Sequence, residues 1–331
     1  MIFFLVLALL VLFGIAFMMQ PIFGKNPTGN HLRSLSKSIN YKNSAFQNLS
    51  HTPALTEGVK YTEVLKRFLF EKNDRKEPKN RIPSEKNNLY LIPATDDILV
   101  WFGHSSYFMQ LDGIKILVDP IFSGSASPVP FMIKSFEGSD IYSAADIPQI
   151  DYLFLSHDHW DHLDYKTLMA LKPKINKIIC GLGVRSHLIY WGFKKELIEE
   201  MDWNSTLPLA ENSKVHSVTA RHFSGRRFKR NGTLWTSFIL KTPTYNLFLG
   251  GDSGYDEHFI KIGEQFGPFD LAILENGQYD TQWKYIHMQP EEVLQAARDL
   301  RATRLLPVHS AKFALANHDW DEPLNRITQL H

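Results

Sequence analysis

Cysteine is almost absent: the 331 residues contain one, Cys180. A single thiol cannot build an internal disulfide framework, and its place in the apolar run Lys177-Ile178-Ile179-Cys180 reads as a small buried hydrophobe rather than a nucleophile. An excess of charge is also missing, with 36 basic against 35 acidic side chains and a formal net charge of +1. That balance argues against a broad polyanion-binding face, and so against nucleic acid as a partner. No G-x-S-x-G elbow occurs, which leaves the chain without an evident serine nucleophile. Apolar material is not lacking: 44% of residues are hydrophobic and 13% aromatic, enough for a large core.

The first 19 residues are wholly apolar apart from Gly14 and approach the ~20 needed to span a bilayer. No basic residue precedes them and no small-residue cleavage site closes them, so residues 1–20 read as a retained transmembrane helix rather than a signal peptide. Lys25, Arg33, Lys37 and Lys42 all follow the run, which by the positive-inside rule turns the rest of the chain towards the cytoplasm. Residues 21–88 are polar and read as a wrapping or linker segment, with a short helix around Glu63 to Phe70 and with Tyr41, Phe46, Leu65 and Phe68 able to pin it to a surface. From residue 89 to 331 strand and helix patterns alternate, and the Asp112-Gly113 pair between two apolar runs is a type I′ hairpin signal.

The chemistry is concentrated in Ser156-His157-Asp158-His159-Trp160-Asp161-His162, which follows the apolar run Ile150 to Leu155. Imidazole nitrogens and carboxylate oxygens at this density suit zinc and related divalent metals, and packing a core requires no such cluster. A histidine-rich surface loop is the bland alternative, but a buried strand emptying into H-x-H-x-D-H is hard to obtain by accident. His222, Asp252 and His309 each follow a further apolar run. Residues at strand ends are the ones a layered sheet fold gathers at a single edge.

The H-x-H-x-D-H segment resembles the metal-binding signature of the metallo-β-lactamase superfamily, which implies an α/β fold, a four-layer αββα sandwich with metals held by loops at one edge. By that resemblance His157, His159 and His222 belong to a first metal, Asp161, His162 and His309 to a second, and Asp252 bridges both. The implied cofactors are two divalent ions, zinc by the choice of ligands. A pair of metals ~4 Å apart would activate a shared water, which makes hydrolysis the natural reaction class. A narrower resemblance covers roughly residues 95 to 315. Trp101-Phe102-Gly103-His104-Ser105-Ser106, Asp119-Pro120-Ile121-Phe122-Ser123, Gly251-Asp252-Ser253-Gly254-Tyr255 and His287-Met288-Gln289-Pro290-Glu291-Glu292 are similar to segments of the N-acylphosphatidylethanolamine-hydrolysing phospholipase D family.

That similarity implies a membrane-associated phosphodiesterase whose partner is a phospholipid, with Asp161, Asp252 and His287 as catalytic groups. His287 is expected to contact substrate, and its alternative is a helix-capping surface histidine. Arg226 and Arg227, in a basic run beside His222, are expected to attract a phosphate, against the plainer reading of a solvated loop. His104 reads as a hydrogen-bonded structural histidine in a strand-end turn, against the alternative that it faces the metal cleft behind the ligands. The rival enzyme is a metallo-hydrolase of a soluble substrate, a lactonase or another phosphodiesterase.

Overall fold

The computed structural model describes residues 2–330. The N-terminal segment contains α1 (Ile2–Met18), α2 (Gly29–Leu35), the short strands β1 (Tyr41–Lys42) and β2 (Ala45–Phe46), and α3 (Tyr61–Phe70). Two six-stranded sheets follow. The first runs in sequence order through β3 (Ile98–Trp101), β4 (Tyr107–Leu111), β5 (Ile114–Val118), β6 (Ile150–Leu155), β7 (Ile175–Gly181) and β8 (Ile198–Met201). The second is built from β9 (Thr206–Pro208), β10 (Lys214–Val218), β11 (Ser237–Lys241), β12 (Asn246–Leu249), β13 (Leu271–Glu275) and β14 (Leu305–Val308). The sheets are antiparallel from β3 to β5 and from β9 to β12, and parallel from β5 to β8 and from β12 to β14.

The pleat divides each strand between two cores. In β4 and β5, Phe108 and Leu117 join Leu168, Leu171 and Leu188 of α4 (Tyr165–Leu171) and α5 (Arg185–Tyr190). Their neighbours Tyr107, Met109, Ile116 and Val118 face the other way, onto Phe238, Leu240, Leu249 and Ile273 of the second sheet. The far face of that sheet, through Ile239, Phe248 and Ala272, is covered by α6 (His258–Phe266), α7 (Pro290–Asp299) and α8 (Glu322–Leu330). The result is helix, sheet, sheet, helix, the αββα order the signature implied. Asp112 and Gly113 both have positive φ, 48° and 78°, between the paired residues Leu111 and Ile114, which is the type I′ hairpin their sequence indicated.

Strand direction explains where the site must be. β5 and β6 are parallel, β3 is antiparallel to β4 and β4 to β5, so β3, β5 and β6 all end at one edge. The same reasoning through β10, β11 and β12 brings the ends of β10, β12, β13 and β14 to one edge of the second sheet. Every polar cluster noted in the sequence follows one of these strands.

The expected N-terminal anchor needs correction. The helix that forms is α1, 17 residues long. At 1.5 Å per residue it reaches about 26 Å, short of a hydrocarbon core of about 30 Å. Among the described residues no helix is long and apolar enough to cross a membrane, and the cytoplasmic orientation argued from it lapses as well; Met1 lies outside the described residues. The helix stops because Pro21 starts a 3-10 turn, Pro21–Phe23, that folds Phe23 back onto Trp160 with ring centroids 5.2 Å apart.

Residues 21–88 are held on the domain by specific bonds. Trp191 Nε1 donates to Pro21 O at 2.7 Å, and Asn48 both donates to His222 O and accepts from His222 N.

Phe154 of β6 is fully buried between the sheets, edge-on to Phe238 at 5.1 Å. Phe154→Ala should cost about 3–5 kcal/mol of folding stability, read as a lower denaturant midpoint at unchanged slope.

Candidate metal centre

The loop after β6 delivers His157, His159, Asp161 and His162, while His222, Asp252 and His309 arrive from the loops after β10, β12 and β14. All seven converge. His157 Nε2 lies 2.9 Å and His222 Nε2 3.2 Å from His159 Nδ1, and Asp252 Oδ2 is 3.8 Å from His157 and 3.7 Å from His222. On the other side of Asp252, His162 Nε2 and His309 Nδ1 each stand 3.2 Å from its carboxylate, and Asp161 Oδ2 is 3.6 Å from His162 Nε2. Two four-residue groups result, one of His157, His159, His222 and Asp252, the other of His104, Asp161, His162 and His309, each with ligand atoms within 4.8 Å of one another. Asp252 with His287 and His309 makes a third such group.

Hydrogen bonds at the back of the rings decide which nitrogens carry lone pairs into the cluster. His222 Nδ1 is 2.9 Å from Ile286 O, a pure acceptor, so Nδ1 must donate and Nε2 is bare in the neutral ring. His162 Nδ1 donates to Asp119 Oδ2 at 2.8 Å, which leaves its Nε2 bare too. Ser156 gives its one hydroxyl proton to Asp119, so towards His157 Nδ1, 3.0 Å away, it accepts, and His157 Nε2 is the third. Buried, electron-rich nitrogens aimed at one another repel unless a proton or cation lies among them. His159 Nε2, His162 Nε2, His309 Nε2 and Asp252 Oδ1 are buried with no hydrogen-bond partner among the described residues. This donor set, oriented from behind, fits a divalent metal.

Electrostatics agree. Burial holds His157, His222 and His309 well below the usual imidazole range and brings His159 down to about 4, so these rings are neutral and available as ligands at pH 7. Burial pushes the carboxyls of Asp161 and Asp252 up, but the surrounding histidines outweigh it and hold both in the ionised state. His162 is the exception: burial would lower it, yet Asp252, Asp161 and the bond to Asp119 raise it.

The structure places other predicted residues differently. His104 is not confined to a structural turn, because its Nε2 donates to Asp161 Oδ2 at 2.9 Å and it joins the second group. It adopts a positive φ of 51°, as does His309 at 66°, and the two segments clasp each other through His104 N to Ser310 O and His309 N to His104 O, both 2.8 Å. Gly277 permits that approach, since a Cβ there would lie 2.2 Å from His309 O.

Arg226, expected to meet substrate, is buried instead. Its guanidinium donates to Asp158 O, Leu163 O and Ile22 O and lies 4.0 Å over Trp160, which leaves little for a phosphate. Arg227 donates to Gly24 O. The basic residue that lines the cavity above the cluster is Arg230, stacked at 4.7 Å on Phe223. His287 lines that cavity as well. Sequence reasoning assigned no role to Asp119 or Glu275, although both sit at the carboxyl ends of strands, where every other member of the cluster was found.

A two-sheet sandwich with a His/Asp cluster at the carboxyl edge of its strands defines a metal-dependent hydrolase fold. The comparisons make the family explicit: the chain belongs to the metallo-β-lactamase superfamily, with the Beta-lactamase superfamily domain matching residues 115–310. An uncharacterized protein of Mycobacterium tuberculosis is 37% identical over 301 residues, 89% of this chain and 81% of that one. The N-acyl-phosphatidylethanolamine-hydrolyzing phospholipase D 1 of Caenorhabditis elegans is 29% identical over 250 residues, covering 70% and 68% of the two chains. Among solved structures, a metallo hydrolase from Ignicoccus hospitalis superposes with a TM-score of 0.53 at 21% identity over 70% of this chain and 90% of that one, a likeness of fold.

The buried histidines set a pH dependence for the metal-free protein. His159 and His258 are each brought to about 4 by burial and regain ordinary values near 6.5 when unfolded. Between those values the unfolded chain binds more protons, so stability present above pH 6.5 is lost as pH falls towards 4. His162, His287 and Glu275, all raised, act in the opposite sense but are outnumbered by His104, His157, His187, His222 and His309. The urea midpoint of metal-free protein should fall steadily over that window; a flat or rising midpoint would contradict the assignment.

Proposed function

We propose that this chain is a phospholipase D-type phosphodiesterase that acts on N-acylphosphatidylethanolamine-like glycerophospholipids with two divalent metals, zinc by the nature of the ligands. The observation that carries the reading is the cavity over the cluster, about 310 Å³, with a polar floor of His159, Asp161, His222, Asp252, His287 and His309. Its walls are apolar, from Leu55, Val64, Trp283, Ile286 and Leu315. A polar reacting floor beneath apolar walls suits an amphiphile better than a small hydrophilic ester. The name of the C. elegans relative points the same way.

His157, His159 and His222 would hold one metal and Asp161, His162 and His309 the other, with Asp252 contributing to both. Metals bound there supply Lewis-acid polarisation of the phosphoryl oxygens and activation of water. The chain's own residues do the rest. Arg230 gives the mouth a positive charge for the phosphodiester anion, and the apolar walls exclude water from the reacting bond. His287 faces the head-group side. Water contributes hydroxyl to phosphorus, the bond to the head-group oxygen breaks, and the proton ends on the released alcohol, leaving phosphatidic acid.

The decisive experiment presents metal-replete protein with detergent-dispersed phospholipids, simple phosphodiesters and lactones side by side. Release of phosphatidic acid is expected; rapid lactone opening with no phospholipid cleavage would decide for a soluble-substrate hydrolase. Elemental analysis should find two metals per chain, with Asp252→Ala losing both and His222→Ala or His309→Ala mainly one. Asp161→Asn should abolish turnover. Arg230→Glu should weaken anionic substrates more at low salt than at high salt, because an exposed charge is screened over ~10 Å at 0.1 M.

A further inference from the structure

Glu275 ends β13 beside the cluster, and its side-chain hydrogen bonds go to His287 and Met288 rather than to the seven residues assigned to metal. It is 1% exposed, and its two oxygens have separate partners. Oε1 accepts from Met288 N at 2.6 Å, and Oε2 lies 3.2 Å from His287 Nδ1. A buried carboxylate is costly unless it is hydrogen-bonded, and this one is bonded on both oxygens, one of them to a ring that lines the cavity. The same histidine stacks on His309, centroids 5.2 Å apart and planes inclined by 18°, and lies edge-on to His222 at 5.1 Å. Its plane is thereby confined between two ring contacts and one carboxylate.

We propose that Glu275 is a positioning residue for the reaction, keeping a proton on His287 Nδ1 and so presenting Nε2, bare in the neutral ring, to the substrate. Met288 N–H can only donate, so Oε1 is committed as an acceptor, and the remaining oxygen faces a ring nitrogen whose best partner for a carboxylate is N–H. With Nδ1 committed behind the ring, Nε2 is the one nitrogen left for the cavity. A carboxylate that orients a histidine in this way governs which nitrogen reacts, as in the hydrolase triads. The kinetic part of this inference rests on the phosphodiesterase reading, but the tautomer does not.

Glu275→Gln tests it at nearly constant volume. Its amide oxygen must take the Met288 N–H, which turns the NH2 towards His287 Nδ1 and forces the proton to Nε2. Imidazole 15N shifts of histidine-labelled protein, with the His287 signals assigned by their loss in His287→Ala, should report the Nδ1–H tautomer in the natural chain and Nε2–H in Glu275→Gln. On whichever substrate the panel above shows to be cleaved, kcat should fall on the order of 10²-fold or more, with KM and metal content unchanged. The Glu275→Gln/His287→Ala double variant should be no slower than His287→Ala alone. Should Glu275→Gln fail to fold, Glu275→Asp retains a carboxylate and should keep the Nδ1–H tautomer. An unchanged tautomer in Glu275→Gln, a loss of the Nδ1–H tautomer in Glu275→Asp, or losses that multiply in the double variant would overturn the proposal. Absence of phospholipid cleavage would instead overturn the substrate reading and leave the tautomer result to decide the role of Glu275.

Discussion

The constraint on which the architecture turns is a buried carboxylate with too many neighbours. Asp252 is 3% exposed and has imidazole nitrogens of His157, His162, His222 and His309 within 3.2 to 3.8 Å. Withdrawing an ionised carboxylate from water costs several kcal/mol, which must be offset by partners of opposite charge. Neutral imidazoles with their lone pairs turned inward do not offset it, and the ring hydrogen bonds turn three of them inward. Without metal, the raised His162 is the ring that carries opposing charge, and a divalent cation would satisfy the carboxylate and the remaining inward lone pairs together. The centre is therefore costly to fold empty, which is the expected condition of a site selected to hold metal rather than to stabilise the chain.

Rigidity around that centre comes from a second layer of groups that never touch the cavity. Asp119 accepts from His162 Nδ1, Ser156 N and Ser156 Oγ together, so one carboxylate fixes both the loop after β6 and one of its rings. Asp158 does similar work at the rim, bonded to His187 Nε2 and Gly225 N. Through Gly225 it sets the turn that sends Arg226 inward and leaves Arg230 over the cavity. The charge at the mouth is thus decided by a buried carboxylate whose partner in the turn, Gly225, lies 67 positions away in sequence.

This layering accounts for what could be read in the sequence. Most strands that carry site residues are apolar, so β6, β12, β13 and β14 were visible as runs, and the histidines and aspartates that follow them stood out. Elements away from that edge were harder to see. β8 has two glutamates between Ile198 and Met201, a spacing that does not alternate, and β9 is three residues ending in Pro208. α6 contains Gly263, whose presence argues against a helix until its packing is known: a Cβ there would lie 1.9 Å from Asp299 O, so the contact between α6 and the end of α7 requires glycine. Arg226 was misjudged because a basic run says nothing of which side chain finds carbonyls to satisfy it. The apolar N-terminus was misjudged because composition sets hydrophobicity, whereas Pro21 sets length.

The segment before residue 89 belongs to the site in a way that its polar composition conceals. Asn48 makes both backbone hydrogen bonds of His222, as a neighbouring strand would, and so braces a residue of the cluster from 174 positions away. Thr56 N bonds Gln282 O at 2.7 Å, which carries Leu55, Tyr61 and Val64 to the cavity beside Trp283. One wall of the cavity is therefore made by residues that precede the sandwich. Loops from the carboxyl edge supply the polar floor, because parallel strands must end there. No strand end can supply an apolar wall over the same floor without burying its own backbone groups unpaired. A segment that crosses the edge from outside, bonded at Asn48 and Thr56, provides that wall while its backbone remains satisfied.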